Sequence, residues 1–269
     1  MQEQRQSLIM QEQMTSRPLL TFGFSILAER VKNLIRPDFP KEHDVMALVQ
    51  NPNQISYVLD LPKVKLVELK SIGVAKSRNA ALQHANGEYL IFGDDDISFK
   101  NEGILNAIEY FQSHPECSII LAQAVDEDGN LRKRYESKVT PLKLSNSARA
   151  ATYEMIVRVD AIRNAKINFD ENFGAGAENY LGDEYIFIAD ALRAGLKGVH
   201  LPVVVAIHPK ESSGSRWGNE RDLRARAAIF TRVFGAKAPL MRLAFLIKTN
   251  NPKPSPNLFI RFVFNRFSR

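Results

Sequence analysis

Residues 73–96 read GVAKSRNAALQHANGEYLIFGDDD. Val74 to Ala85 has a helical pattern, and Asn86-Gly87 supplies its stop signal. Tyr89-Leu90-Ile91-Phe92 then forms a short charge-free strand that runs into three consecutive carboxylates, Asp94, Asp95 and Asp96. Outward from this stretch, strands and helices alternate. Upstream, Leu19 to Ile26, Val45 to Val49 and Val64 to Leu69 read as strands, and Ala28 to Ile35 as a helix. Downstream come a helix from Ile104 to Phe111 and a strand from Ser118 to Ala122. This alternation predicts an α/β fold, a sheet covered by helices on both faces.

In such sheets ligands bind beyond the carboxyl ends of the strands. Adjacent carboxylates repel one another, and a hard divalent cation such as Mg²⁺ or Mn²⁺ relieves that repulsion while accepting phosphate co-ligands. On an extended backbone Asp94 and Asp96 point the same way and Asp95 points elsewhere. The competing reading is a solvated acidic turn ahead of a helix.

The run resembles the family 2 glycosyltransferases of the GT-A fold. Their pattern is an Arg-Asn pair on a helix, an Ala-x-Gly-x-Tyr turn, an apolar strand and an Asp-x-Asp motif. Here these are Arg78-Asn79, Ala85 to Tyr89, Leu90-Ile91-Phe92 and Asp94 to Asp96, in that order. The resemblance implies a mixed sheet flanked by helices and a nucleotide-sugar donor. It implies that Asp94 and Asp95 contact the donor and that Arg78 lies near the nucleotide. It also implies that Asp96, with Asp94, holds a Mn²⁺ or Mg²⁺ ion bridging the diphosphate. Nucleotide-base contacts in the family follow the first two strands, here Ser25 to Glu29 and Gln50 to Asn53, where Asn51 stands closest to a commonly acidic position.

A second motif lies downstream. A single-displacement transferase needs a base for the acceptor hydroxyl, and the family places it in an acid pair at a helix start. Asp183-Glu184 opens a helix to Ala194, after a Gly-punctuated loop from Phe169 to Gly182. The order of the acids is inverted relative to the usual Glu-Asp, so the base is Glu184 by register, with Asp183 the alternative. The structural reading of the same pair is an N-cap and a first-turn acid. Glu178, in the preceding loop, is a candidate acceptor contact. Strands are expected from Tyr153 to Val159 and Val199 to Ile207, with a hairpin turn at Asp126 to Asn130. His208 follows the last strand, and the resemblance makes it a candidate third metal ligand. Arg216-Trp217 ends like the Gln-x-x-Arg-Trp motif of processive relatives, but Ser213 replaces the Gln, so no processivity is inferred.

The 269 residues carry a formal net charge of +6, unevenly distributed. Residues 216–269 hold 12 Lys/Arg and 2 Asp/Glu, a net of +10, leaving −4 on residues 1–215. The division expected is a polar start (1–17), a GT-A domain (18–215) and a basic amphipathic helical extension (216–269), broken by Pro252, Pro254 and Pro256. Interleaved basic and large apolar residues in the extension suggest an anionic membrane surface as partner; packing of the same helices on the body is the alternative. The lone Cys117 excludes a disulfide framework and a Cys-rich zinc site. No apolar run is long enough to span a bilayer, and the start lacks a secretory core. A cytoplasmic location, peripheral on the inner face of the membrane, is therefore expected.

The function expected is metal-dependent, inverting sugar transfer from a nucleotide-sugar, by default a UDP-sugar, to a hydroxyl of a glycan or lipid-linked acceptor in polysaccharide biosynthesis. A sugar nucleotidyltransferase would show a Gly-rich loop after the first strand, and Leu19 to Lys32 has none. A non-enzymatic anion-binding module is the other rival, but no nucleic-acid motif of basic and stacking aromatic residues is present.

Overall fold

The computed structural model describes residues 17–209, 218–249 and 251–267. Most of the polar start, together with Ser213 and Arg216-Trp217, lies outside the described residues. Arg17, the last residue of the expected polar start, is already tied down: its guanidinium donates to the carbonyls of Asn86 and Gly87 and to Asp160.

The sheet has the strand order β3-β2-β1-β4-β8-β6-β9-β5, and β7 pairs with β9. The strands are β1 (Leu20–Leu27), β2 (His43–Gln50), β3 (Val64–Leu69), β4 (Tyr89–Asp94), β5 (Ser98–Phe99), β6 (Cys117–Val125), β7 (Thr140–Pro141), β8 (Met155–Arg158) and β9 (Lys197–Ile207). The half formed by β3, β2, β1 and β4 is parallel, and β8 joins β4 antiparallel, so the sheet is mixed. The central strands are buried on both faces, which is why β1 and β2 read as near-continuous apolar runs. On one face Phe22, Phe24 and Ile91 pack against α2 (Asn101–Ser113) through Ile104, Ile108 and Phe111. On the other, Leu90 and Phe92 pack against Ala81 and Leu82 of α1 (Val74–His84) and Phe187 and Ile188 of α4 (Asp183–Arg193). The short α3 (Val159–Asn164) follows β8. Cys117 lies in this core, where burial pushes its thiol up to about 11, as an inert apolar residue would have it.

Two elements depart from the sequence reading. The helix expected over Ala28 to Ile35 is a 3₁₀ helix at Ala28–Asn33, and the backbone is already extended at Leu34. The strand expected from Tyr153 begins as a 3₁₀ turn, Thr152–Glu154, and only Met155–Arg158 pairs. The two-residue strands β5 and β7 are too short to leave any periodicity in the sequence.

The extension forms α5 (Glu220–Phe234), α6 (Ala238–Lys248) and α7 (Pro256–Phe264). Asn219 caps α5, its side-chain oxygen accepting from the Asp222 N–H at 2.8 Å. Helix α5 is not a free appendage: Ile229 and Val233 pack with Tyr185, Ile186 and Ala189 of α4. Among the described residues no helix is long and apolar enough to cross a membrane.

Candidate active site

Asp94 ends β4, and the parallel register sets it beside Ser25 of β1. Ser25 and Ser77 share a buried hydrogen bond of 2.7 Å that fixes α1 over the strand ends. Arg78 follows, in the second turn of α1, with its side chain buried. Its Nη1 donates to Asp183 and also lies 3.3 Å from Glu184 Oε1. Its guanidinium stands 5.8 Å from the centre of the Phe169 ring. Burial opposes the charge on Arg78, but the carboxylates of Asp183, Glu184 and Asp94 outweigh it and hold the guanidinium firmly protonated. Arg78 thus joins the two motifs, 105 residues apart in the chain. The sequence reading put it near the nucleotide; the structure pairs it with the acid pair.

The start of α4 is built for these acids. Gly182, its N-cap, has φ +90°, and a Cβ there would meet Ile229 of α5 at 2.3 Å. Gly174 has φ +93°, and a Cβ would strike the Asp183 carboxyl and Val74 at 2.8 Å. The loop is latched by Asn79, which accepts from the Phe169 N–H at 2.7 Å and donates to the Phe169 carbonyl at 3.0 Å. Asp183 and Glu184 differ in surroundings. The Asp183 side chain is 3% exposed, that of Glu184 20%. Thr152 Oγ1 donates to Glu184 Oε1 at 2.8 Å. Burial and then the Glu184 charge push Asp183 up to about 7, against Arg78. Burial acts on Glu184 too, yet Arg78, its own backbone N–H and Thr152 hold it below the usual carboxylate range. The pair titrates as a unit, with the proton favoured on the buried member and the negative charge on the accessible one.

The three aspartates also separate. Burial, with the charges of Asp96, Glu184 and Asp95, pushes Asp94 up, and Arg78 opposes. Asp95 faces away: its Oδ2 lies 2.6 Å from Arg30 Nε in the 3₁₀ helix, an ion-pair distance without hydrogen-bond alignment. The resemblance counts Asp95 among the donor contacts; here its carboxylate lies beside Arg30. Asp96 is exposed, and no hydrogen bond or ion pair of its side chain is found among the described residues. Two oxygen donors, Asp94 and Asp96, whose charges disfavour one another, fit a hard cation that takes its remaining ligands from phosphate and water. Among the described residues no three His, Cys, Asp or Glu side chains stand together as a complete metal cage. His208 is buried after β9, its ring tilted by 30° to that of Tyr153 at 4.7 Å between centres, and its Nδ1 lies 2.7 Å from the Pro209 carbonyl. The Asn51 amide is occupied internally, donating to the Ile55 carbonyl at 3.0 Å and accepting from the Ile55 N–H at 2.9 Å. Glu178 pairs with Arg224 of α5.

Sequence reasoning missed Thr152, the positioning partner of Glu184, because an isolated Thr before a strand carries no pattern. It also missed the role of Asn79 as a loop latch and of Arg30 as the partner of Asp95. Pairing across 65 residues has no local signature.

Comparisons with known proteins bear on the fold and the family. Residues 53–172 match the sequence profile described as "Glycosyl transferase family 2". Poly(ribitol-phosphate) beta-N-acetylglucosaminyltransferase TarS of Staphylococcus aureus strain MW2 is 25% identical over 156 residues, covering 54% of this chain and 27% of TarS. The matched region thus spans about a quarter of that relative's length. Residues 1–349 of S. aureus TarS superpose with a TM-score of 0.60 at 17% identity, covering 92% of this chain and 82% of that one. The same TarS fragment solved in complex with UDP-GlcNAc gives a TM-score of 0.59 at 17% identity, with the same coverage. The fold is therefore GT-A, and residues 53–172 are similar to the family 2 glycosyltransferases.

Proposed function

We propose that this chain is an inverting glycosyltransferase that moves a sugar from a nucleotide-sugar, by default a UDP-sugar, to a hydroxyl of a glycan or lipid-linked acceptor. The observation that carries this reading is the partly exposed Glu184 carboxylate, held by Arg78 and Thr152 near Asp94 at the strand ends. The UDP and UDP-GlcNAc complexes of TarS support the donor class.

Glu184 accepts the proton of the acceptor hydroxyl as its oxygen attacks the anomeric carbon. The bond from that carbon to the diphosphate breaks on the opposite face, so configuration inverts. Asp183 does not take the proton; buried against Arg78, it fixes the guanidinium that keeps Glu184 low and in place. Asp94 and Asp96 would hold a Mn²⁺ or Mg²⁺ ion, which supplies positive charge to the departing diphosphate. His208 belongs to this reading as a further candidate ligand. The enzyme acts in polysaccharide biosynthesis, on the cytoplasmic side, attached peripherally to the inner face of the membrane. A panel of nucleotide-sugars, scored for release of free nucleotide with Mn²⁺, with Mg²⁺ and with chelator, tests it. Metal-dependent turnover of at least one donor is expected; no binding or turnover of any would overturn the reading.

A further inference from the structure

We infer that the outward face of α6 and α7 is a docking surface for an anionic lipid bilayer. The two helices are held as a platform on α5. Leu246, Phe262 and Val263 pack with Leu223 and Ala227. The buried Arg242 donates to the carbonyls of Val263 at 2.9 Å and Ala227 at 2.8 Å, binding all three helices together. With this face of α6 turned inward, the opposite face should be polar. It is not. Leu240, Leu243 and Ile247, at i, i+3 and i+7, share it, and Leu240 is 67% and Ile247 71% exposed. On α7, Ile260 is 51% and Phe264 57% exposed. The only charge between Lys237 and Lys248 is the buried Arg242.

The charge around this face selects the occupant. Residues 223–269 contain ten Lys/Arg and no Asp or Glu. Three of the four arginines of α5 answer acids of the body or of their own helix: Arg224 meets Glu178, Arg226 meets Asp222, and Arg232 meets Asp170 and Asp190, while Arg221 lies over the Tyr180 ring. Lys237, Lys248, Lys253 and Arg266, which lie at or beside the ends of the two helices in sequence, have no ion pair among the described residues; Lys253 donates to the Leu246 carbonyl and Arg266 stands 5.6 Å from the centre of the Phe264 ring. A second copy would bring like charge against like charge. An anionic bilayer offers headgroups to the cations and an acyl boundary to Leu240, Ile247, Ile260 and Phe264. The proposal names the partner and contact face for the peripheral attachment in the reading above and rests on it in that respect. Lipid binding is measured without any transfer, so either can fail alone.

Flotation of the full chain with phosphatidylcholine vesicles, with and without phosphatidylglycerol, tests this. Binding to the anionic vesicles alone, weakened by salt, is expected. Leu240→Asp/Ile247→Asp changes two exposed positions and should lower partitioning at least tenfold with circular dichroism and donor binding unchanged. Lys237→Glu/Lys248→Glu should lower it most at low salt. Failure of the wild type to bind at low salt overturns the proposal, as does unaltered binding by the Asp variant. Self-association abolished by the same Asp variant, without lipid binding, also overturns it and makes the face a contact between copies.

Discussion

Arg78 of the first helix and Asp183 of the fourth form a buried ion pair that clamps the start of one helix to the body of another. Glu184 shares the guanidinium, so a single cation answers two carboxylates. Removing it leaves negative charge buried with no counterpart. Breaking a buried pair from one side costs about 3–5 kcal/mol. Arg78→Met should lose that much stability in urea denaturation. Arg78→Lys, which keeps the charge without the forked geometry, should lose less. A midpoint unchanged in Arg78→Met would mean that the clamp does not hold the fold together.

Thr152 contributes one hydrogen bond to the ionised Glu184. A hydrogen bond to a charged group is worth about 1.5–3 kcal/mol. Thr152→Val keeps the side-chain shape and removes the donor, so Glu184 should become harder to ionise. The acid limb of the pH–rate profile should move to higher pH, with the plateau above it nearly restored. A uniform loss of rate at every pH would assign Thr152 a packing role only.

The raised Asp183 predicts a pH-dependent stability. A carboxyl pushed up to about 7 favours the folded state while protonated. That contribution is fully present below the unfolded value, about pH 4, and is lost as pH rises through about 7. Asp183→Asn cannot ionise. Calorimetric melting temperatures from acid to neutral pH should show the wild type losing ground to the variant across this window. A constant difference would mean that folding does not raise the Asp183 carboxyl above its unfolded value.

Asp96 is exposed and Asp94 is not, so their variants should differ. Asp96→Asn should leave the melting temperature of the free protein near wild type while removing the Mn²⁺-dependent part of donor affinity in titration calorimetry. Equal donor affinity in variant and wild type, with metal present, would detach Asp96 from any metal role.

Much of this arrangement is legible in the sequence because it is local. A charge-free strand ending in carboxylates, or an acid pair after a Gly-rich loop, declares itself within about 25 residues. Alternation on an extended backbone even separates Asp95 from its neighbours, as its turn toward Arg30 bears out. The α/β sheet and its helical layers follow from the alternating periodicities, while its mixed strand order is what the family resemblance implies. What is not legible is long-range. The pairing of Arg78 with Asp183 spans 105 residues and leaves no local signature. The hydrogen bonds that tie the Asn51 amide to Ile55 are not announced by the residue type either. The extension reads as amphipathic, but its arginines on α5 face acids of the body, and the unpartnered apolar surface lies on α6 and α7.

The account turns on Glu184 as the group that takes the acceptor proton. The direct measurement is steady-state transfer by Glu184→Gln beside donor binding by the same protein. A general base contributes about 10²–10⁴-fold, so turnover should fall by that much while donor affinity and the metal requirement stay near wild type. Wild-type turnover in Glu184→Gln would contradict the account and leave Asp183-Glu184 as the cap of a helix.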